Sequence, residues 1–262
     1  MSRARALFAV LVGVPLLAVS VAATWRYWPR DLPPLLAAPR RPVLPDLAMP
    51  ALGELLTGVD EPGNQQRLFF TASIANVGRG PFVVHAVRAD RRGGWRVTQR
   101  FREHDGSTTE LETPGELVWG GHGHNHWHVH LGAAYELLDA SGEVVRKYQK
   151  VGYCFFDQAR MPGSTTRDTQ RFRKNTCEGE EQLQLEMGLS PGWQDPYQWT
   201  LPDQRLEITG LKDGTYRLVA RADPDNWFRE SDESNNETWV DVRLTTSSSP
   251  PRVKVLRVGP HA

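Results

Sequence analysis

The sequence predicts an all-β fold: an antiparallel β-sandwich with long loops, preceded by an N-terminal hydrophobic helix. Three observations carry this. Apolar and polar residues alternate with period two in four separate segments. Glycine and proline supply 42 of the 262 residues, which suits closely spaced turns. The best helix window, 178–187, is short and shows no clean apolar stripe. A hydrophobic fraction of 39% with 24% charged residues describes a globular chain rather than a disordered one.

The helix belongs to the head. Ala6 to Thr24 is 19 residues without a charge, behind Arg3 and Arg5. The apolar run of a signal peptide is roughly 7–15 residues, and a membrane span needs about 18 or more. Val21-Ala22-Ala23 is a passable cleavage site, so residues 1–25 read as a signal peptide or a membrane anchor. Both place the body outside the cytoplasm, at the cell surface, in the periplasm or secreted. Residues 26–43 read as a proline-rich stalk, since Pro29 to Pro50 holds seven prolines. Residues 44–246 are then the β domain, and 247–262 a C-terminal tail.

Net charge is zero, with 31 basic and 31 acidic residues. That balance conceals a head of +5 over residues 1–44 and a body of −5. An acidic body argues against nucleic acid as a partner, which calls for a basic face.

Within the body, Leu68, Phe70, Ala72 and Ile74 share one face of a strand. Leu206 and Ile208 alternate with Arg205 and Glu207. Tyr216, Leu218, Ala220 and Ala222 alternate with Arg217 and Arg221. Val240, Val242 and Leu244 alternate with Asp241 and Arg243. Gly78-Arg79-Gly80 and Lys212-Asp213-Gly214 supply turns. Two cysteines exclude a four-thiolate metal site. In an exported chain Cys154 and Cys177 read as a disulfide.

Five of the eight histidines fall within nine residues: His122, His124, His126, His128 and His130. Neutral imidazole is a common ligand for copper, zinc and nickel, and the absence of an acid from the motif favours copper. On a strand, residues two apart share a face. The outer two of three such histidines lie about 13 Å apart on a straight strand. Binding of one ion by all three therefore calls for a bulge in this segment. Glu230, Asp232, Asn235 and Asn236 form a second group, four oxygen donors within seven residues, which suits calcium.

From about Leu44 to Leu244 the chain resembles the catalytic domain of the lysyl oxidases, copper-dependent amine oxidases, in a shorter bacterial form. The resemblance rests on HNHWH at 124–128, YELLDASG at 135–142, KVGYCFFD at 150–157, GLSPGWQDPY at 188–197, LEITGLKDGTYRL at 206–218 and ESDESNN at 230–236. Each piece is weak alone, and their joint order is specific. The resemblance implies Cu²⁺ on His124, His126 and His128. It implies a lysine tyrosylquinone made from Lys150 and Tyr197, and calcium held also by Asp46 and the Leu47 carbonyl. The expected activity is oxidation of a primary amine, free or on a protein lysine, to an aldehyde with release of peroxide and ammonia. Joining Lys150 to an oxidised Tyr197 ring needs the free-base amine, and so a lowered lysine pKa.

The sequence departs from the animal enzymes in three ways. It carries far fewer cysteines, it lacks their pro-region, and Ala134 stands before Tyr135 where they carry histidine. Asp195 and Glu136 are the carboxylates left as candidate bases. The alternative reading is a non-catalytic copper-binding protein outside the cytoplasm, in which Lys150 and Tyr197 have no chemical role.

Overall fold

The structure is a computed structural model that describes residues 42–60, 64–120, 125–149, 152–201 and 204–261. The head at 6–24, the stalk up to residue 41, His122, His124 and Lys150 lie outside the described residues. So does the expected N-terminal helix. Among the described residues there is no α-helix, and no helix long and apolar enough to cross a membrane.

Among the described residues all strand pairs are antiparallel, and the strands hydrogen-bond as four sheets. The organising element is the twelve-residue strand Gln65–Asn76. Its first half pairs with Gly53–Asp60 and Arg205–Glu207. Its second half pairs with Leu47–Ala48 and Trp193–Tyr197. A second sheet joins Val144–Gln149, Ala133–Leu138, Gly214–Ala222, Glu237–Thr245 and Arg252–Val258 in that order. A third contains Arg96–Glu103, Phe82–Val87 and Gln184–Leu189. The smallest joins Gly152–Tyr153, Trp127–His130 and Leu117–Trp119.

Period-two alternation turns one face of every sheet into a single core cluster. Leu68, Phe70, Ala72 and Ile74 are all buried there. Phe70 meets the Tyr135 ring edge-on at 4.9 Å, and Phe82 meets Phe155 and Phe228 at 5.0 Å each. Burying a side chain of that size contributes about 1.5–3 kcal/mol.

Two bounds need correction, while the window at 178–187, too weak to read as a helix, ends in the strand Gln184–Leu189, whose Leu185, Met187 and Leu189 are buried. That is a strand period, and pairing with Phe82–Val87 settles it. The tail at 247–262 contains the strand Arg252–Val258, which pairs with Glu237–Thr245. The Ser247-Ser248-Ser249-Pro250-Pro251 run marks a hairpin connection rather than the end of the fold. The stalk at 26–43 already ends in a strand, Pro42–Val43, which pairs with Arg102–Glu103.

Candidate active site

Tyr197 closes the strand Trp193–Tyr197, opposite Ala72. Asp195 lies two residues earlier, opposite Ile74, so both project from the same face of one strand. Both are buried. They line a cavity of 970 Å³ together with His126, Cys154, Lys174, Glu178 and an apolar wall of Trp119, Phe156, Pro196 and Leu201. Burial pushes the Tyr197 phenol well above its ordinary range, and the Asp195 carboxylate adds to that. The ring is therefore a neutral phenol at neutral pH.

The same cavity is lined by His126, at the start of the histidine strand. Trp127–His130 is flanked by Leu117–Trp119 and Gly152–Tyr153, with no register shift across either pairing. The expected bulge is thus absent from 127–130, and residues 121–124 lie outside the described residues. The chain leaves this sheet at His126, which makes a single bridge to Glu178. The His126 and His128 rings stand 4.4 Å apart at 73°. That is much closer than the spacing of alternate residues on a straight strand, about 6.6 Å. The two imidazoles therefore converge as the ligands of one ion would. Gly152 permits the close packing on this strand, because a Cβ there would stand 2.4 Å from the His128 Cβ.

Residues missed by the sequence reading surround Tyr197. Its ring lies 4.2 Å from that of Tyr153, and the Tyr153 and Tyr135 hydroxyls are 2.7 Å apart. Burial pushes Tyr135 up to about 12, against the opposing effect of the Tyr153 hydrogen bond. Asp157, fully buried, accepts hydrogen bonds from the Arg171, Phe172 and Ser190 amides and from the Ser190 hydroxyl. It ties the loop before Phe172 to the segment leading into Trp193–Tyr197. Both features sit in the motifs YELLDASG and KVGYCFFD, but their partners are remote in sequence.

Of the two candidate bases, only Asp195 lines the cavity. Glu136 alternates outward from Tyr135 and pairs with Arg221 at 2.8 Å and Lys147 at 3.2 Å. Arg221 first, then Lys147, holds its carboxyl below the usual carboxylate range. Ala134 is buried and offers no proton-transfer group. Cys154 and Cys177 form a disulfide.

The second group assembles as a clip between the start and the end of the domain. Asp46 accepts from the Asn235 amide at 2.8 Å and the Ser231 hydroxyl at 2.9 Å. Glu230 accepts from the Asn236 amide at 2.6 Å and from the Leu47 N–H. Asp232 accepts from the Ser234 amide and hydroxyl. The Asn235 and Asn236 side-chain oxygens are buried without a hydrogen-bond partner. Burial pushes the Glu230 carboxyl up to about 9 against its two hydrogen bonds, and Glu233 adds to the shift. Two orphaned acceptors beside a buried carboxyl are what an oxygen-coordinated cation would complete. Among the described residues, no group of three or more His, Cys, Asp or Glu side chains stands close enough to hold a metal ion by itself. The clip draws on amides instead, and His124 lies outside those residues.

Residues 87–252 match the family described as Lysyl oxidase, over more than half of the chain. The protein-lysine 6-oxidase of Gallus gallus is 33% identical over 167 residues, which is 61% of this chain and 37% of that protein. That of Sus scrofa is 32% identical over 61% of this chain and 62% of its own length. Lysyl oxidase homolog 1 of Homo sapiens is 29% identical over 63% of this chain and 27% of its own. The match thus spans less than two thirds of each of these relatives.

Proposed function

The chain belongs to the lysyl oxidase family, and from that premise we propose that it is an exported, copper-dependent amine oxidase. Its substrate is a primary amine, free or on a protein lysine. The amine, dioxygen and water become an aldehyde, ammonia and hydrogen peroxide. The observation that carries the reading is one cavity holding both His126 and Tyr197, with the His128 ring 4.4 Å from that of His126.

His126 and His128, with His124, would hold copper, which supplies the redox chemistry that oxidises the Tyr197 ring with dioxygen. Lys150 and Tyr197 would form the quinone, which would supply the electrophilic carbonyl for a primary amine. The apolar wall of Trp119, Phe156, Pro196 and Leu201 accepts the methylene stem of the amine. Asp195 shares the strand face of Tyr197 and would take the proton lost from the carbon that bears the amine, a reading supported by its place in the cavity lining. Tyr153 packs against the Tyr197 ring and limits its tilt. Asp46, the Leu47 carbonyl, Glu230, Asp232, Asn235 and Asn236 would hold calcium, a reading supported by the two orphaned amide oxygens. The charge-free run from Ala6 to Thr24 supports export and a membrane tether.

The test is the mass of the peptide pair containing Lys150 and Tyr197 after aerobic maturation with copper. We expect a cross-linked pair, a positive quinone stain, and peroxide on addition of primary amines. Lys150→Ala keeps copper and loses all three. Full copper occupancy with no cross-link and no peroxide would overturn the oxidase and leave a copper-binding protein.

A further inference from the structure

Trp127 lies between His126 and His128, and its indole is buried. Its Nε1 donates to the Gly179 carbonyl at 3.1 Å. Gly179 adjoins Glu178, the bridge partner of His126, and both line the cavity. The histidine strand is thus attached through Trp127 to the strap of residues 178–182.

One side chain holds that strap and the indole together. The Arg88 guanidinium lies 4.5 Å from the centre of the Trp95 ring and 4.8 Å from that of Trp127. Its Nε donates to the Gln182 carbonyl at 2.7 Å, one terminal nitrogen to the Glu180 carbonyl, and the other to the Arg91 carbonyl at 3.1 Å. The Arg88 amide donates to the Leu183 carbonyl at 3.0 Å. Trp95 and Trp119 close on Trp127 edge-on at 5.1 and 5.3 Å. Arg88 is itself buried. A planar fork with fixed donors suits this arrangement, since it stacks on a ring and satisfies two strap carbonyls at once.

We propose that Arg88 is a positioning residue for the metal strand: it fixes the Trp127 indole and the strap, and so the convergence of His126 and His128. The inference rests on the reading that these histidines hold copper. Residues behind metal ligands typically change metal affinity about 10- to 100-fold when lost. Lysine at 88 would keep the charge but lose the plane and the fork.

The experiment compares Cu²⁺ affinity and the copper EPR spectrum of the full chain with those of Arg88→Lys, Arg88→Ala and Trp127→Phe. His126→Ala serves as the ligand-loss reference. Arg217→Ala is the control, since Arg217 lies 3.8 Å over Trp239 and pairs with Asp241, away from the cavity residues. The expected result is copper affinity about 10- to 100-fold weaker in the Arg88 variants, with altered hyperfine splitting in Arg88→Lys. Trp127→Phe, which removes the indole donor together with part of the stacked ring, shifts both readouts in the same direction. Arg217→Ala lowers the melting temperature and leaves both readouts alone. If Arg88→Lys and Trp127→Phe bind copper with wild-type affinity and spectrum while His126→Ala does not, Arg88 has no positioning role. If wild type and His126→Ala bind copper alike, the metal reading itself fails. Where Arg88→Ala does not fold, Arg88→Lys and Trp127→Phe decide.

Discussion

The histidine–tyrosine cavity and the clip at Asp46 and Glu230 are built in opposite ways. The clip draws on one short loop and one N-terminal segment, and packs them closely through hydrogen bonds that leave two amide oxygens unmet. The cavity takes His126 from just before Trp127–His130, Cys154 from just after Gly152–Tyr153, Glu178 and Gly179 from the segment after Cys177, and Asp195, Pro196 and Tyr197 from Trp193–Tyr197, and leaves 970 Å³ open between them. A holding site closes on itself, whereas a reacting site has to keep volume free and fix its edges from outside. Edge-fixing by Asp157, the disulfide and the Arg88 strap serves that need.

The sharpest break of this comparison is a pair of substitutions. His126→Ala should abolish amine-dependent peroxide release and leave calcium-dependent stability in place. Glu230→Gln should do the reverse, keeping turnover at low temperature and losing the stabilisation by calcium. For wild type at 100 times the dissociation constant that stabilisation is about 2.7 kcal/mol, or roughly 5–11 °C for a domain of this size. Calorimetry with and without calcium, alongside a peroxide assay, separates them. Loss of turnover in both variants at low temperature would mean that the two regions are not independent.

Next in size is the disulfide. Cys154–Cys177 spans a separation of 23 residues, for which the chain-entropy model gives about 3.4 kcal/mol. Cys154→Ala with Cys177→Ala should lower stability by that order, read by urea unfolding. It should also weaken copper binding, because Cys177 directly precedes Glu178 while Cys154 lines the cavity. Unchanged copper affinity would assign the bond to stability alone.

The last effect acts through pH and belongs to neither set of proposed ligands. Burial pushes Asp223 up to about 6, against hydrogen bonds from the Phe228 and Trp227 amides. In the unfolded chain it titrates near 4. The folded state therefore holds the proton more tightly, so this contribution is complete below about pH 4 and is lost as pH rises through 6. Two units correspond to at most about 3 kcal/mol. Asp241 acts oppositely. Arg217 above all, with Arg257, keeps it below the usual range, so its contribution is present above about pH 4 and lost below. Asp223→Asn should flatten the rise in stability of the metal-depleted protein between pH 7 and 4, measured by urea unfolding at each pH. An identical slope in wild type and variant would discount Asp223.

Much of the fold was legible because alternation marks a half-buried strand wherever it occurs. Leu68, Phe70, Ala72 and Ile74 carry it, and all four are buried. The strand Arg252–Val258 carries it weakly, since its Val255, Leu256 and Val258 are exposed, and the proline pair before it resembled an ending. Of the site, His126, His128 and Tyr197 were readable from side-chain type in context. Arg88 was not. Its value lies in carbonyl groups more than ninety residues away, and a backbone carbonyl leaves no mark on the residue letter. The same reason hides Asp157, whose partners are mostly backbone amides.

The contact beneath His128 also bears on how such a sequence can vary over time. At residue 152 even the smallest side chain would have to occupy space taken by the His128 Cβ and the Val129 carbonyl. Drift at this position has no small first step: alanine already displaces the strand that carries the imidazoles. Glycine at this position is therefore a demand of the strand pairing itself, because a Cβ and a backbone carbonyl stand in the way whatever side chains the neighbouring strand carries.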